Sequence, residues 1–141
     1  MSASTFLDTN VLVYLFDHDE PSKQQRASET LKSSDLGELV LSTQVLSEFY
    51  VTVTRKLARP LDPGLAGEAI DWLASLSVVS TDTTLVKSAI QLSRSAQLSY
   101  WDGLVVAAAS RAGCERLLSE DLNEGQRIGT VYVENPFRGL A

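Results

Sequence analysis

Apolar positions along the chain follow two rhythms. Short runs bounded by polar residues fall at 5–7, 38–41, 77–79, 116–118 and 130–133, and they predict strands. Between them lie longer segments in which apolar residues return every three or four positions. The clearest runs over 43–57, where Val45, Leu46, Phe49, Val53 and Leu57 share one helical face. Arg59-Pro60 stops it, because the residue before a proline disfavours the helical region. A short helix is predicted over 11–16, a second opens at Pro21-Ser22 and runs to about 33, and another opens at Pro63. Helices over 84–96 and 101–112 complete the set, the last ending at Gly113.

Strands alternating with helices imply parallel pairing through right-handed crossovers, hence an α/β sandwich. Two consecutive helices between the second and third strands suggest a helical hairpin projecting from the sheet. No repeat, linker or low-complexity stretch divides the 141 residues, so a single domain over 1–141 is expected. A formal charge of −6 argues against non-specific coating of nucleic acid, yet acids gathered at one metal site would also produce it. The lone cysteine, Cys114, cannot form an internal disulfide and reads as a small core residue. Met1 to Thr5 lack a basic leader and no apolar stretch is long enough to span a bilayer, so a soluble, cytoplasmic protein with no membrane partner is expected.

Against this pattern the acids fall in particular places. Asp8 interrupts F-L-D-T-N-V-L-V-Y just past the first strand. Glu48 lies in Q-V-L-S-E-F-Y, near the start of the helix after the second. Asp102 opens the otherwise apolar S-Y-W-D-G-L-V-V-A-A-A, and Asp121 follows the fourth strand in L-L-S-E-D-L-N-E-G. Each has an ordinary reading as a helix cap, a solvated residue or a turn. Together they mark the carboxyl edge of a parallel sheet, where ligands bind in such folds.

Clustered carboxylates need a counter-charge, since two of them about 4 Å apart repel by roughly 4 kcal/mol at an effective dielectric near 20. No Lys or Arg neighbours Asp8, Asp102 or Asp121 in sequence. A hard divalent cation, Mg²⁺ or Mn²⁺, suits an all-oxygen donor set, whereas zinc would call on histidine and cysteine, of which the chain has one each. That histidine, His18, reads as a surface residue in a D-H-D-E stretch that lacks the glycine and spacing of a calcium loop. Thr9, Asn10 and Ser119 are neutral groups able to bond a carboxylate or phosphate. No phosphate-cradling glycine loop and no G-x-S-x-G nucleophile turn is present.

At these residues the chain resembles the PIN-domain ribonucleases, in particular the VapC-type toxins of toxin–antitoxin pairs. The four stretches quoted above occur in the family's order, and V-E-N-P-F resembles its usual end, so the resemblance extends from Phe6 to Phe137. It implies a PIN-like α/β/α sandwich and a metal site on Asp8, Glu48, Asp102 and Asp121, with Asp121 favoured over the adjacent Glu120. It further implies Mg²⁺- or Mn²⁺-dependent endonuclease cleavage of RNA, a homodimer, and inhibition by an antitoxin seated in an apolar groove. Products with 5′-phosphate and 3′-hydroxyl ends are expected, because no histidine pair exists to activate the 2′-hydroxyl. Arg55, Lys56 and Arg59 form the densest basic cluster and are the RNA-contact candidates, with Lys23 and Arg26 behind them. Trp101 and Tyr100 could stack on bases, but beside an apolar helix they read first as core. Two rival readings remain: a PIN-fold interaction protein without catalysis, and a haloacid-dehalogenase-like phosphatase. The latter needs a second aspartate where this chain has Asn10, and a later strand-end lysine that is not evident.

Overall fold

A computed structural model describes residues 4–140. Residues 1–3 and 141, the ends of the expected domain and part of the stretch read as lacking a leader, lie outside the described residues. The elements run β1 (Thr5–Leu7), α1 (Thr9–Val13, continued by a 3-10 turn over Tyr14–Phe16), α2 (Pro21–Lys32), β2 (Leu39–Ser42), α3 (Thr43–Val51, continued by a π-helical turn over Thr52–Lys56), α4 (Pro63–Leu73), β3 (Ser77–Val79), α5 (Thr83–Ser95), α6 (Tyr100–Arg111), β4 (Arg116–Leu118), β5 (Arg127–Ile128) and β6 (Val131–Glu134). The sheet order is β3-β2-β1-β4-β6-β5, parallel throughout except for the terminal β5–β6 pair. This is the expected α/β fold with helices flanking a mostly parallel sheet.

The chain winds outward from β1 through β2 to β3, then crosses back to place β4 on the other side of β1. The carboxyl edge between β1 and β4 is therefore the point where the winding reverses, and there the two following segments diverge and leave a crevice. Register makes this specific. Leu7 pairs with Leu118, and Asp8 N–H continues the ladder to the Leu118 carbonyl at 3.0 Å. Asp8 and Ser119 are thus neighbours because β1 and β4 are.

All three residues of β1 and all four of β2 are buried, as expected for strands covered on both faces. Helix α6 carries an unbroken buried run from Gly103 to Ala109, so it lies inside the molecule with no solvated middle. Gly103 permits its closest approach to α5: a methyl there would sit 2.7 Å from the Ala89 carbonyl oxygen and 3.2 Å from Ser93 Cβ. Among the described residues no helix is long and apolar enough to cross a membrane.

Three expectations need correction. The last strand begins at Val131 and is preceded by β5, turned by Gly129 at φ 61°; a two-residue strand carries too little periodicity to be seen in sequence. The helix drawn over 43–57 is α-helical only to Val51 before it widens into the π turn. Helices α3 and α4 form the anticipated consecutive pair, but Val45, Phe49 and Val53 have no solvent exposure, so the inner face of α3 belongs to the core. The solvated side of the pair is α4, where Leu65 and Trp72 are exposed.

Candidate functional site

Asp8 caps α1, its Oδ1 accepting from the Thr9 N–H at 2.8 Å, while its Oδ2 accepts from Ser119 Oγ–H at 2.8 Å. Ser119 Oγ in turn accepts from the N–H groups of Asp121 and Leu122 at 3.2 and 3.3 Å. One hydroxyl therefore orients the first acid and the turn that carries the fourth. Asn10 reaches across to Asp121, its Nδ2 lying 3.0 Å from both carboxylate oxygens. Thr9 Oγ1 donates to Glu48 Oε1 at 3.4 Å. Ser42 caps α3 through the Val45 N–H and Ser99 caps α6 through the Asp102 N–H, so the helices carrying Glu48 and Asp102 both start at this edge.

Asp8, Thr9, Asn10, Glu48, Asp102 and Asp121 line one cleft of about 300 Å³. Every acid singled out in the sequence borders it, as do two of the three neutral helpers; Ser119 lies beneath it, fully buried. The adjacent Glu120 faces elsewhere, bound to Lys23 Nζ and to the Tyr14 hydroxyl at 2.6 Å each. The two side chains part at the bend that follows β4, where Ser119 Oγ accepts from the Asp121 and Leu122 N–H groups.

The electrostatics are unbalanced in a revealing way. Asp19, Asp82, Glu120, Glu124 and Glu134 each pair with a Lys or Arg, whereas none of the four cleft acids does among the described residues. Burial pushes Asp8 up from 3.8 to about 6, against the lowering effect of its Ser119 and Thr9 bonds and with added repulsion from Asp121 and Glu48. Glu48 stands exposed on its helix, yet partial enclosure of its carboxylate raises its pKa, as do Asp121 and Asp102, while bonds from Thr9 and Gln44 lower it. Asp121 is raised too, first by desolvation and then by Asp102 and Glu120.

The donor chemistry fits a hard divalent cation: four carboxylates, no sulfur, no imidazole, and a buried Gln44 Oε1 on the same wall that has no partner. Among the described residues, however, no three His, Cys, Asp or Glu side chains already converge on a single ion position. Closing a chelate therefore requires side-chain adjustment.

The basic candidates separate. Lys56 lines the cleft, brought there by the π turn, and makes no ion pair among the described residues. Of the three sequence candidates, Lys56 alone borders the cleft. Arg55 is exposed and outside the cleft lining, and Arg59 is held by Asp19 at 3.0 and 3.3 Å. Lys23 is held by Glu120 and Arg26 by the Pro136 carbonyl. Trp101, read first as core, is 63% exposed and stands on the cleft wall, while Tyr100 packs against the core as expected. Gln44 and Thr52 also line the cleft and were missed, since nothing in their sequence context separates them from other helix residues. His18 is exposed, and Cys114 is buried with its thiol pushed up to about 11.

Comparison with known proteins bears on the fold and the family. No curated relative matches the chain in sequence. Solved structures with the same fold include a toxin–antitoxin complex from Klebsiella pneumoniae (TM-score 0.72, 18% identity, 94% of this chain and 98% of that one). FitAcB from Neisseria gonorrhoeae aligns with TM-score 0.68 and 19% identity over 95% of this chain and 99% of that one. VapC20 from Mycobacterium tuberculosis, described as a Sarcin-Ricin loop cleaving toxin, aligns with TM-score 0.67 and 18% identity over 84% and 90% of the two chains. The family profile of the PIN domain matches residues 5–126, a span that holds all four acids, and the chain belongs to the PIN-domain family.

Proposed function

We propose that this protein is a Mg²⁺- or Mn²⁺-dependent endoribonuclease and the toxin of a toxin–antitoxin pair. The observation that carries the reading is the set of four carboxylates, none ion-paired among the described residues, that line one cleft where the sheet's winding reverses. Asp8, Glu48, Asp102 and Asp121 would hold the cation, directly or through water. The cation supplies a Lewis acid that lowers the pKa of water and balances the charge developing on a phosphodiester. The remaining work falls to the chain. Ser119 and Thr9 fix the Asp8 carboxylate, Asn10 fixes Asp121, and Thr9 steadies Glu48 Oε1, an exposed carboxylate able to take a proton from water. Lys56 offers the free positive charge on the cleft wall for a phosphate. Attack by water leaves 5′-phosphate and 3′-hydroxyl ends.

The toxin assignment is supported by the fold shared with toxin–antitoxin structures and by a second, apolar groove lined by Leu15, Phe16, Leu61, Leu65 and Trp72. An antitoxin segment seated there would cover the exposed Leu65 and Trp72. A homodimer acting in the cytoplasm completes the proposal. The test is incubation of antitoxin-free protein with total RNA in Mg²⁺ or Mn²⁺, beside EDTA and Asp8→Asn controls. Cuts bearing 5′-phosphate that vanish in both controls support the reading, and an intact RNA pool across a screened set of targets refutes it.

A further inference from the structure

Beside the acid cleft lies a second hollow of about 470 Å³, walled by Thr43, Ser47, Thr81, Trp101 and Leu104. The two adjoin, with Gln44, Glu48 and Trp101 lining both. Trp101 is the most exposed large apolar side chain of the described residues, one position before an acid of the proposed metal site. Its setting is fixed rather than loose. Gln44 Nε2 donates to the Trp101 carbonyl at 3.2 Å, and the half-buried Tyr100 packs edge-on against the indole with ring centroids 5.0 Å apart at 75°. The far wall is polar and small, with the Thr43 and Thr81 hydroxyls 3.1 Å apart. An aromatic face held in place beside hydroxyls, open to solvent and one step from a phosphate-handling cleft, has the composition of a base-stacking platform.

We infer that Trp101 and the hollow beside it form a nucleobase subsite that takes the unpaired base next to the cleaved phosphate, so that the enzyme selects single-stranded or flipped-out positions. The inference rests on the nuclease reading above and adds its substrate class. A base adjoining a phosphate held among Asp8, Asp102 and Asp121 has the indole within reach, because Trp101 lines both hollows. A protein partner is the weaker occupant: the groove around Leu65 and Trp72 already offers it apolar surface, and that groove shares no residue with the acid cleft. Gln44 acts here as a positioning residue, tying the start of α6 to α3.

The test joins cleavage with fluorescence. In a Trp72→Phe background Trp101 is the sole tryptophan, and the protein is titrated with a short mixed-sequence RNA and with an abasic strand of equal length. The base-bearing strand is expected to quench emission and the abasic strand to leave it unchanged. In parallel, Trp101→Ala is expected to lose about tenfold or more of kcat/KM on a single-stranded site that the wild type cuts, with Trp101→Phe keeping most of it. Thermal unfolding shows that both variants are folded. Wild-type cleavage with no loss in Trp101→Ala overturns the subsite and leaves the nuclease standing. Quenching without any wild-type cleavage overturns the nuclease and leaves the stacking site, and absence of both overturns the two together. Dissociation of a dimer by Trp101→Ala with unchanged cleavage assigns the indole to a protein interface and also overturns the inference.

Discussion

Replacing Asp8 by asparagine is expected to stabilise the metal-free protein while abolishing cleavage. Asp8 is only 6% exposed and has no cationic partner, so ionising it in the folded state is unfavourable. Its pKa of about 6 in the fold, against 3.8 for the free side chain, corresponds to roughly 3 kcal/mol at pH 8, taking about 1.4 kcal/mol per tenfold change. The sign follows from proton linkage. The folded state binds this proton more tightly than the unfolded chain, so its contribution is fully present below pH 3.8 and is lost as pH rises through about 6. Asp8→Asn removes the charge but not the shape: the new amide oxygen keeps the Thr9 N–H, while the amide nitrogen faces Ser119 Oγ, whose lone pairs are already taken by Asp121 and Leu122. Losing that bond costs about 1 kcal/mol. The net gain is about 2 kcal/mol at pH 8 and near zero at pH 4.5, where the proton on Asp8 has already removed most of the penalty. In a chain of this size 2 kcal/mol raises Tm by roughly 6–8 °C. Urea unfolding of both proteins in EDTA at the two pH values measures it. A variant less stable than wild type at pH 8, or a gap of equal size at both pH values, would refute an uncompensated buried charge.

Three further outcomes follow from the same coordinates. Gly103→Ala is expected to destabilise by about 1–3 kcal/mol, because the added methyl meets the fixed Ala89 carbonyl at 2.7 Å rather than a yielding side chain; chemical unfolding reads it, and a neutral result would show that α5 and α6 separate freely. Lys56→Ala should weaken RNA binding and lower the salt slope of log K by about 0.7, whereas Arg59→Ala, already tied to Asp19, should leave both unchanged; binding isotherms across a salt series separate the two. Divalent-ion affinity should fall as pH drops through about 6, since proton and cation compete for Asp8; calorimetric titration at pH 7.5 and 5.5 with equal affinities would contradict that.

What could be read from sequence was whatever leaves a periodic or positional trace. Val45, Phe49 and Val53 announce a helix, and all three prove fully buried. The four acids were visible because each stands at the same structural station, just past a strand or at the opening of a helix. The separation of Glu120 from Asp121 was expected from strand alternation, but the two lie in a bend, so a period of two does not explain it. What escaped depends on contacts between segments distant in the chain. Lys56 stood in the basic cluster with Arg55 and Arg59, but nothing in T-V-T-R-K signals the π turn there or that Lys56 alone of the three borders the cleft. Trp101 looked like core because it precedes seven buried residues; its place at the second position of α6, before that run begins, turns it outward. Arg59 looked available until Asp19, forty residues away, was found to hold it.

The same features that suit the cleft to a cation make it an electrostatically unfavourable part of the fold. Asp19, Asp82 and Glu134 pair with arginine at the surface, where such pairs contribute little to stability. At the reversal point the chain does the opposite, placing carboxylates where desolvation and mutual repulsion raise their pKa values and supplying only hydroxyl, amide and backbone N–H partners. Neutral donors can aim a carboxylate without cancelling its charge, so they preserve affinity for a cation that a lysine in ion-pair contact would abolish. The rigidity needed to hold that arrangement comes from behind it: the β1–β4 register sets Asp8 against Ser119, and the close α5–α6 contact at Gly103 sets the start of α6, with Asp102 and Trp101 on it. A substitution at Gly103 should therefore disturb the site as well as the fold, whereas one at Asp8 should trade function for stability.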